Sequence, residues 1–330
     1  MGLTASLPSP WRFRMTTMKK KQFGRTDLRV SELCLGTGRV GYFSERANAF
    51  EVLDTFVENG GNFIQATSHA YLPSLECHPD KSESLVGEWL RANSSLRGEL
   101  VVCVKIRCPH GLGGLDLENS IRTQIELALR RTGTSYIDVA LLDWSNGFFP
   151  TYEVMSVLER LSGYGLLRYA GSIGFPCWRI AEWLGRGTQP WRMRLESAHL
   201  DGPFTQCCLE ELSREHRISL VVRWPFVDGY EPLFEVARRV FGITSFQVGM
   251  AWLFSRPSIC SVQFSPKVKS QLLAAIDATR VDLNESELGV IQEAYLQCAL
   301  PPRCPRVEEF ILDDSGDSKM PYSFTKLDSL

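Results

Sequence analysis

Three apolar runs in this 330-residue chain carry side chains of the kinds that move protons. At Asn62-Phe63-Ile64-Gln65-Ala66-Thr67-Ser68-His69-Ala70-Tyr71 a β-prone run gives way to polar and ionisable groups, as a buried strand does where it hands over to a loop. Val101-Val102-Cys103-Val104-Lys105-Ile106 carries one cation, and Val139-Ala140-Leu141-Leu142-Asp143-Trp144 carries one carboxylate. A charge left without its partner in a buried strand costs roughly 3–5 kcal/mol. Lys105 and Asp143 therefore need partners, and the candidates are each other, the phenol of Tyr71 and a ligand. His69 is a further candidate for proton transfer, because an imidazole titrates near neutral pH. A loop histidine with no chemical role explains it equally.

These runs belong to a longer alternation of strands and helices. Short apolar strand candidates are Leu33–Gly36, Phe63–Ala66, Leu100–Ile106, Ile137–Asp143, Arg168–Ser172, Met193–Ser197, Ser219–Arg223 and Ile259–Phe264. Helix candidates with apolar residues at three-and-four spacing are Glu45–Glu58, Ser82–Arg91, Leu117–Arg131, Tyr152–Ser162, Cys177–Leu184, Phe204–His216, Pro232–Phe241 and Lys267–Ala278. Ser44 before Glu45, and Ser82 before Glu83, supply start signals. About eight strand–helix pairs in alternation predict a parallel sheet that closes into a TIM (β/α)8 barrel. A Gly-centred hairpin over Lys19–Leu33 precedes the barrel, and extra helices at Ser245–Ser255 and Asn284–Cys298 follow it. The alternative is an open doubly wound sheet. Its phosphate loop is only half matched by Gly36-Thr37-Gly38-Arg39-Val40-Gly41, because Tyr42-Phe43 intervene before the next helix.

Composition narrows the class. With 44% hydrophobic and 22% charged residues the chain is globular, and its net charge of −2 offers no basic stripe for a nucleic acid. The ten cysteines sit mostly in apolar runs, which reads as free thiols in a reducing, cytoplasmic setting. Cys77-His78 with Cys108 and His110 lacks a recognised metal spacing, so no metal is expected. No apolar run approaches the roughly 20 residues of a membrane helix. Residues 1–18 read as a disordered extension, residues 19–300 as the barrel, and residues 301–330 as a partly ordered or disordered tail. The extension also fits a myristoylation pattern at Met1-Gly2-Leu3-Thr4-Ala5-Ser6 and has the acid-free character of a transit peptide. The expected partner is a small molecule; the sequence does not speak to oligomeric state.

Over roughly Lys20 to Tyr295 the chain resembles the aldo-keto reductases, NADPH-dependent carbonyl reductases built on a TIM barrel. Phe23-Gly24-Arg25-Thr26-Asp27-Leu28-Arg29-Val30-Ser31-Glu32-Leu33-Cys34-Leu35-Gly36-Thr37-Gly38 looks like the family's opening hairpin and first strand. Gly60-Gly61-Asn62-Phe63-Ile64, Lys81-Ser82-Glu83-Ser84-Leu85-Val86-Gly87-Glu88-Trp89-Leu90 and Tyr136-Ile137-Asp138 continue the series in order. So do Leu167-Arg168-Tyr169-Ala170-Gly171 and Gly242-Ile243-Thr244 through Ala251-Trp252-Leu253.

The resemblance implies a catalytic tetrad in which a Tyr protonates the carbonyl oxygen, a Lys raises that Tyr's acidity, an Asp pairs with the Lys and a His orients the substrate. Lys105 stands at the lysine position. Tyr71 supplies a phenol one place later than the family's spacing. The aspartate position holds Gln65 and the histidine position holds Asp143, so the formal charge is kept with the anion moved to another strand.

The implied NADP(H) site is altered too: Ile173-Gly174 replaces a Ser-Asn pair, Glu196 replaces a Gln, and Arg223 precedes Trp224-Pro225-Phe226 where an aromatic stacks on nicotinamide. A guanidinium repels the cationic ring of NADP⁺ unless Trp224 takes the stacking role. Lys267 and Lys269 at a helix start keep a candidate anion site; two solvated lysines explain them equally. Three functions follow as expectations: an NADPH-dependent oxidoreductase of altered or narrowed activity on a carbonyl/alcohol pair, a catalytically degenerate barrel that binds a ligand or partner, and a non-redox isomerase or lyase using Asp143, Tyr71 or His69.

Overall fold

The structure is a computed structural model that describes residues 18–66, 81–107, 111–143, 151–185, 195–201, 207–223, 244–289 and 291. It opens with an antiparallel hairpin, β1 (Lys20–Gln22) and β2 (Arg29–Ser31), in which Lys21 lies opposite Val30. Gly24 turns the chain with a φ of +55°, a left-handed value that glycine adopts without cost.

Eight parallel strands follow: β3 (Leu33–Gly36), β4 (Phe63–Ala66), β5 (Val101–Arg107), β6 (Ile137–Asp143), β7 (Leu167–Ile173), β8 (Leu195–Asp201), β9 (Ser219–Arg223) and β10 (Ile259–Phe264). Each pairs with the next and β10 pairs with β3, closing the barrel. Closure excludes the open-sheet alternative. The helices that join and cover the strands are α1 (Gly38–Phe43), α2 (Arg46–Glu58), α3 (Lys81–Ala92), α4 (Gly114–Thr132), α5 (Thr151–Gly163), α6 (Cys177–Gly185), α7 (Cys207–His216), α8 (Ser245–Ser255) and α9 (Lys269–Ala278). Helix α1 starts directly after Thr37, where the glycine-rich text reads as loop.

The pleat sorts the strand residues into two apolar layers. Leu35, Ile64, Val102, Val104, Ala140, Leu142, Val222 and Val262 face the helices and are buried in the outer core. There they meet stripes such as Ala49, Val52, Leu53 and Phe56 of α2 and Leu117, Ile121, Ile125 and Ala128 of α4. Each fully buried Leu or Ile contributes roughly 1.5–3 kcal/mol. Cys34, Phe63, Cys103, Val139, Leu141 and Val221 alternate with them and fill the barrel itself, together with Phe23, Leu28 and Val30 of the hairpin. Phe23 meets Phe63 edge to face at 5.5 Å.

The hairpin thereby seals the N-terminal end of the barrel, and polar contacts hold it there. Lys21 Nζ donates to the Ile259 carbonyl (2.8 Å), and Asp27 takes Arg168 Nη2 (2.8 Å) and the Tyr169 hydroxyl (2.6 Å). The fully buried Asp138 beside it accepts from Arg97 (2.8 Å), Arg168 (3.0 Å) and the Val102 N–H (3.0 Å), so its desolvation is offset by three charge-assisted or backbone bonds.

One strand lies elsewhere than its sequence suggests. The sixth barrel strand, expected over Met193–Ser197, is Leu195–Asp201, because pairing with β7 (Ala170 with Leu195, Gly171 with Ser197) and β9 (Ser197 with Ser219) starts it later and carries it further. Glu196 is therefore near the sealed end: its Oε2 accepts the Arg25 N–H at 2.9 Å. It does not stand at the open mouth, and its assignment to a cofactor there is corrected. The residues outside the described set include His69, Tyr71, Trp224, the Cys77-His78, Cys108 and His110 candidates, the helix at Pro232–Phe241, and both termini. Among the described residues, no helix is long and apolar enough to cross a membrane.

Candidate functional site

With the N-terminal end plugged, the polar side chains of the barrel gather toward the C-terminal ends of the strands, where barrels of this type place their chemistry. Lys105 and Gln65 lie on adjacent strands, Gln65 pairing with Cys103 one step below Lys105 on the same inward face. Lys105 pairs with Leu141, which sets Asp143 one step above it on β6. The lysine side chain rises to meet that carboxylate: Nζ is 3.5 Å from Asp143 Oδ2, with Lys105 8% and Asp143 7% exposed. The structure thus brings together the two charges that the strand runs isolate.

Other inward positions were not singled out by the sequence. His199 on β8 pairs with Ile173 and Val221, and its carbonyl accepts the Gly174 N–H at 3.1 Å. Its ring points into the barrel, 6.3 Å from the Phe63 centroid in an edge arrangement. The side chain is fully buried, and neither Nδ1 nor Nε2 has a hydrogen-bond partner among the described residues. Burial, and then the Lys105 ammonium, push its pKa down to about 3, so the imidazole is neutral. Gln65 Oε1, Gln263 Oε1 and Ser197 Oγ are likewise buried without a partner. Gln263 on β10 turns its Nε2 toward Gly36, where an added Cβ would lie 2.7 Å from it. A strict inward–outward alternation from Ser197 through Ala198 to His199 is the signal that would have found the histidine.

The remaining expected positions are spread around the mouth. Ile173 ends β7 as an apolar, buried residue, and Gly174 follows with a φ of +70° and open space where a side chain would be. Arg223 ends β9 half-buried, between Asp201 of β8 and Gln263 of β10. Lys267 precedes α9; its N–H donates to Gln271 Oε1 at 2.8 Å. Lys269 reaches outward to Glu51 of α2 at 3.0 Å, so its charge is engaged by a helix neighbour. Helix α9 itself begins after Val268 without a side-chain cap, leaving its first N–H groups to other acceptors. The barrel thiols Cys34, Cys103 and Cys260 are free and buried, and burial pushes each thiol up, away from the reactive thiolate. Among the described residues no group of three or more His, Cys, Asp or Glu is arranged to hold a metal ion.

Comparison with known proteins agrees with this architecture. The structure superposes on the thermostable aldo-keto reductase Tm1743 with a TM-score of 0.70 at 20% identity, over 84% of this chain and 100% of that one. The uncharacterized oxidoreductase YrpG of Bacillus subtilis is 28% identical over 173 residues, 50% of this chain and 52% of the relative. The putative aryl-alcohol dehydrogenase AAD3 of Saccharomyces cerevisiae is 29% identical over 173 residues, 47% of this chain and 45% of the relative. The chain spans about half the length of these curated relatives. The Aldo/keto reductase family model matches residues 32–196, half of the chain, and the chain belongs to that family.

Proposed function

We propose that the protein is an NADPH-dependent oxidoreductase acting on a carbonyl/alcohol pair, with an activity altered by the exchanges at its mouth. The observation that carries this reading is the buried Lys105–Asp143 ion pair at the C-terminal end of the barrel. A cation held there lowers the cost of a neighbouring phenolate, so Lys105 would acidify the Tyr71 phenol, the proton donor to the carbonyl oxygen. Asp143, 3.5 Å from Lys105 Nζ, offsets the desolvation of the lysine with an opposite charge.

The residues present fit a nicotinamide cofactor in part. Its carboxamide needs an acceptor and a donor, and Gln263 offers an unpartnered buried amide oxygen beside its own N–H groups. Lys267 and the uncapped start of α9 would receive phosphate. Ile173 and Gly174 bring no side-chain hydrogen bond, and Arg223 disfavours the oxidised ring by charge. When bound, the cofactor supplies the hydride; the chain supplies the proton, the orientation and the exclusion of water.

The engagement of Lys269 by Glu51 and the apolar Ile173 favour a second reading, a barrel that binds a ligand without hydride transfer. Titration with NADPH and NADP⁺ by tryptophan fluorescence, followed by NADPH consumption with an aryl aldehyde, separates the two. The oxidoreductase reading expects NADPH to bind more tightly than NADP⁺ and to be consumed. Absence of binding by both at millimolar concentration would sink it.

A further inference from the structure

We propose that His199 is a substrate-binding residue of this site: as a neutral imidazole it donates a ring N–H to the carbonyl oxygen of the ligand that enters beside Lys105. The inference rests on reading the barrel mouth as a carbonyl site, and it names a residue on a strand that holds neither charge of the Lys105–Asp143 pair.

The position is the first argument. Backbone pairing on both sides, to Ile173 and Val221, fixes His199 as an inward residue of a central strand, and the Phe63 ring packs against its edge. Phe23 and the hairpin fill the barrel below Phe63, so the His199 ring lies on the C-terminal side of that packed floor. The second argument is satisfaction. Buried polar groups in folded proteins are nearly always hydrogen-bonded, yet both nitrogens of this wholly buried ring lack a partner among the described residues. Gln65 Oε1 and Gln263 Oε1, on the inward faces of β4 and β10, share that condition. A single structural histidine would be served by one packed neighbour; unpartnered groups on the inward faces of three strands are what a polar ligand would satisfy.

The third argument is chemical. A neutral imidazole has one donor and one acceptor, whereas an imidazolium would place a second cation beside Lys105. The ammonium's field polarises the ring N–H and makes it a better donor to an oxygen on which negative charge develops. The neutral ring can thus hold a carbonyl oxygen without competing for Asp143, the counter-ion of the lysine.

The test uses the full chain labelled with ¹⁵N in the histidine rings, and benzamide as the probe, a carbonyl that is not reduced and so reports binding alone. The His199 signals are identified among the five histidines by their loss in His199→Phe or His199→Gln. Saturation with benzamide should shift the protonated-nitrogen signal of His199. His199→Phe, which keeps an aromatic ring but removes both nitrogens, should bind benzamide about tenfold more weakly, while His199→Gln, which keeps an N–H donor, should stay within about threefold of wild type. Benzamide that binds without moving those signals, equal affinity in His199→Phe, or no binding to wild type overturns the proposal. Where His199→Phe does not fold, the ring shift and the His199→Gln affinity decide. Benzamide bound through His199 with no NADPH consumption would remove the reductase reading and leave this one standing; turnover with a silent His199 would do the reverse.

Discussion

Asp143 lies on the mouth side of Lys105, two residue pairs above it on the neighbouring strand, with its carboxylate 3.5 Å from the lysine nitrogen. Gln65, at the position where the family resemblance implies the lysine's carboxylate, lies two pairs below on the other neighbour, β4. The counter-ion has therefore changed both strand and height in the barrel, which alters what Lys105 can stabilise.

Removing one partner of this pair should cost far more than removing both. Asp143→Ala takes a carboxylate away from a nearly buried ammonium and should destabilise the fold by roughly 3–5 kcal/mol, whereas Lys105→Met with Asp143→Leu should recover much of that loss. Chemical denaturation of the double variant, and of Lys105→Met and Asp143→Leu singly, completes the cycle. Simple additivity of the single losses would show that the pair is not coupled.

His199 should make the protein acid-labile in a defined window. Its folded-state pKa is pushed down to about 3 from 6.5, so between those values the unfolded chain binds a proton that the native state refuses. Its contribution is present in full above the unfolded pKa and is lost as pH falls toward the folded one, with a limiting slope of about 1.4 kcal/mol per pH unit. Because carboxylates also titrate at the lower end, the quantity to measure is the difference between wild type and His199→Phe. Parallel stability curves for the two proteins from pH 6.5 downward would refute the assignment.

The barrel was legible because its outer layer depends on local pattern: Leu33–Gly36, Phe63–Ala66 and Ile137–Asp143 are strands with the bounds their apolar runs suggest. Lys105 and Asp143 stood out for the same reason, as single charges in such runs. Glu196 and His199 were misjudged together. Ala198 and His199 lack β-branched side chains and fall beyond the expected strand, and only pairing with β7 and β9 extends it through them. Moving the strand by two residues carries Glu196 to the sealed end and His199 to the chemical one. Helix α1 was missed on similar grounds, since Gly38 and Gly41 argue locally against a helix that contacts with α3 make favourable.

Gly87 should be intolerant of alanine even though alanine is the better helix former. An added Cβ would lie 2.0 Å from the Arg131 carbonyl oxygen and 2.9 Å from the Thr132 carbonyl carbon, both backbone atoms of α4 that cannot rotate away. The clash should cost roughly 1–3 kcal/mol or more, against a propensity gain of about 1 kcal/mol, so Gly87→Ala should lower stability. Denaturant midpoints at unchanged m-value measure this, and a stabilised variant would mean that α3 and α4 can separate freely.

Restoring the implied tetrad tests what the exchange of charges has done to catalysis. Gln65→Asp places a carboxylate two pairs below Lys105, and Asp143→His removes the anion above it while supplying an imidazole in its place. The lysine nitrogen would then be drawn back toward the barrel interior, with no carboxylate above it on β6. A positioned proton donor contributes about 10²–10⁴-fold, so NADPH-dependent reduction of a generic aldehyde should rise above wild type by a measurable part of that range. The variant must first be shown to fold, because Gln65 and Asp143 are both buried and the two changes act on one cation. A folded double variant that binds NADPH and gains no turnover would point to Ile173, Gly174 and Arg223, the positions proposed to face the cofactor ring, and would favour the barrel that binds without hydride transfer.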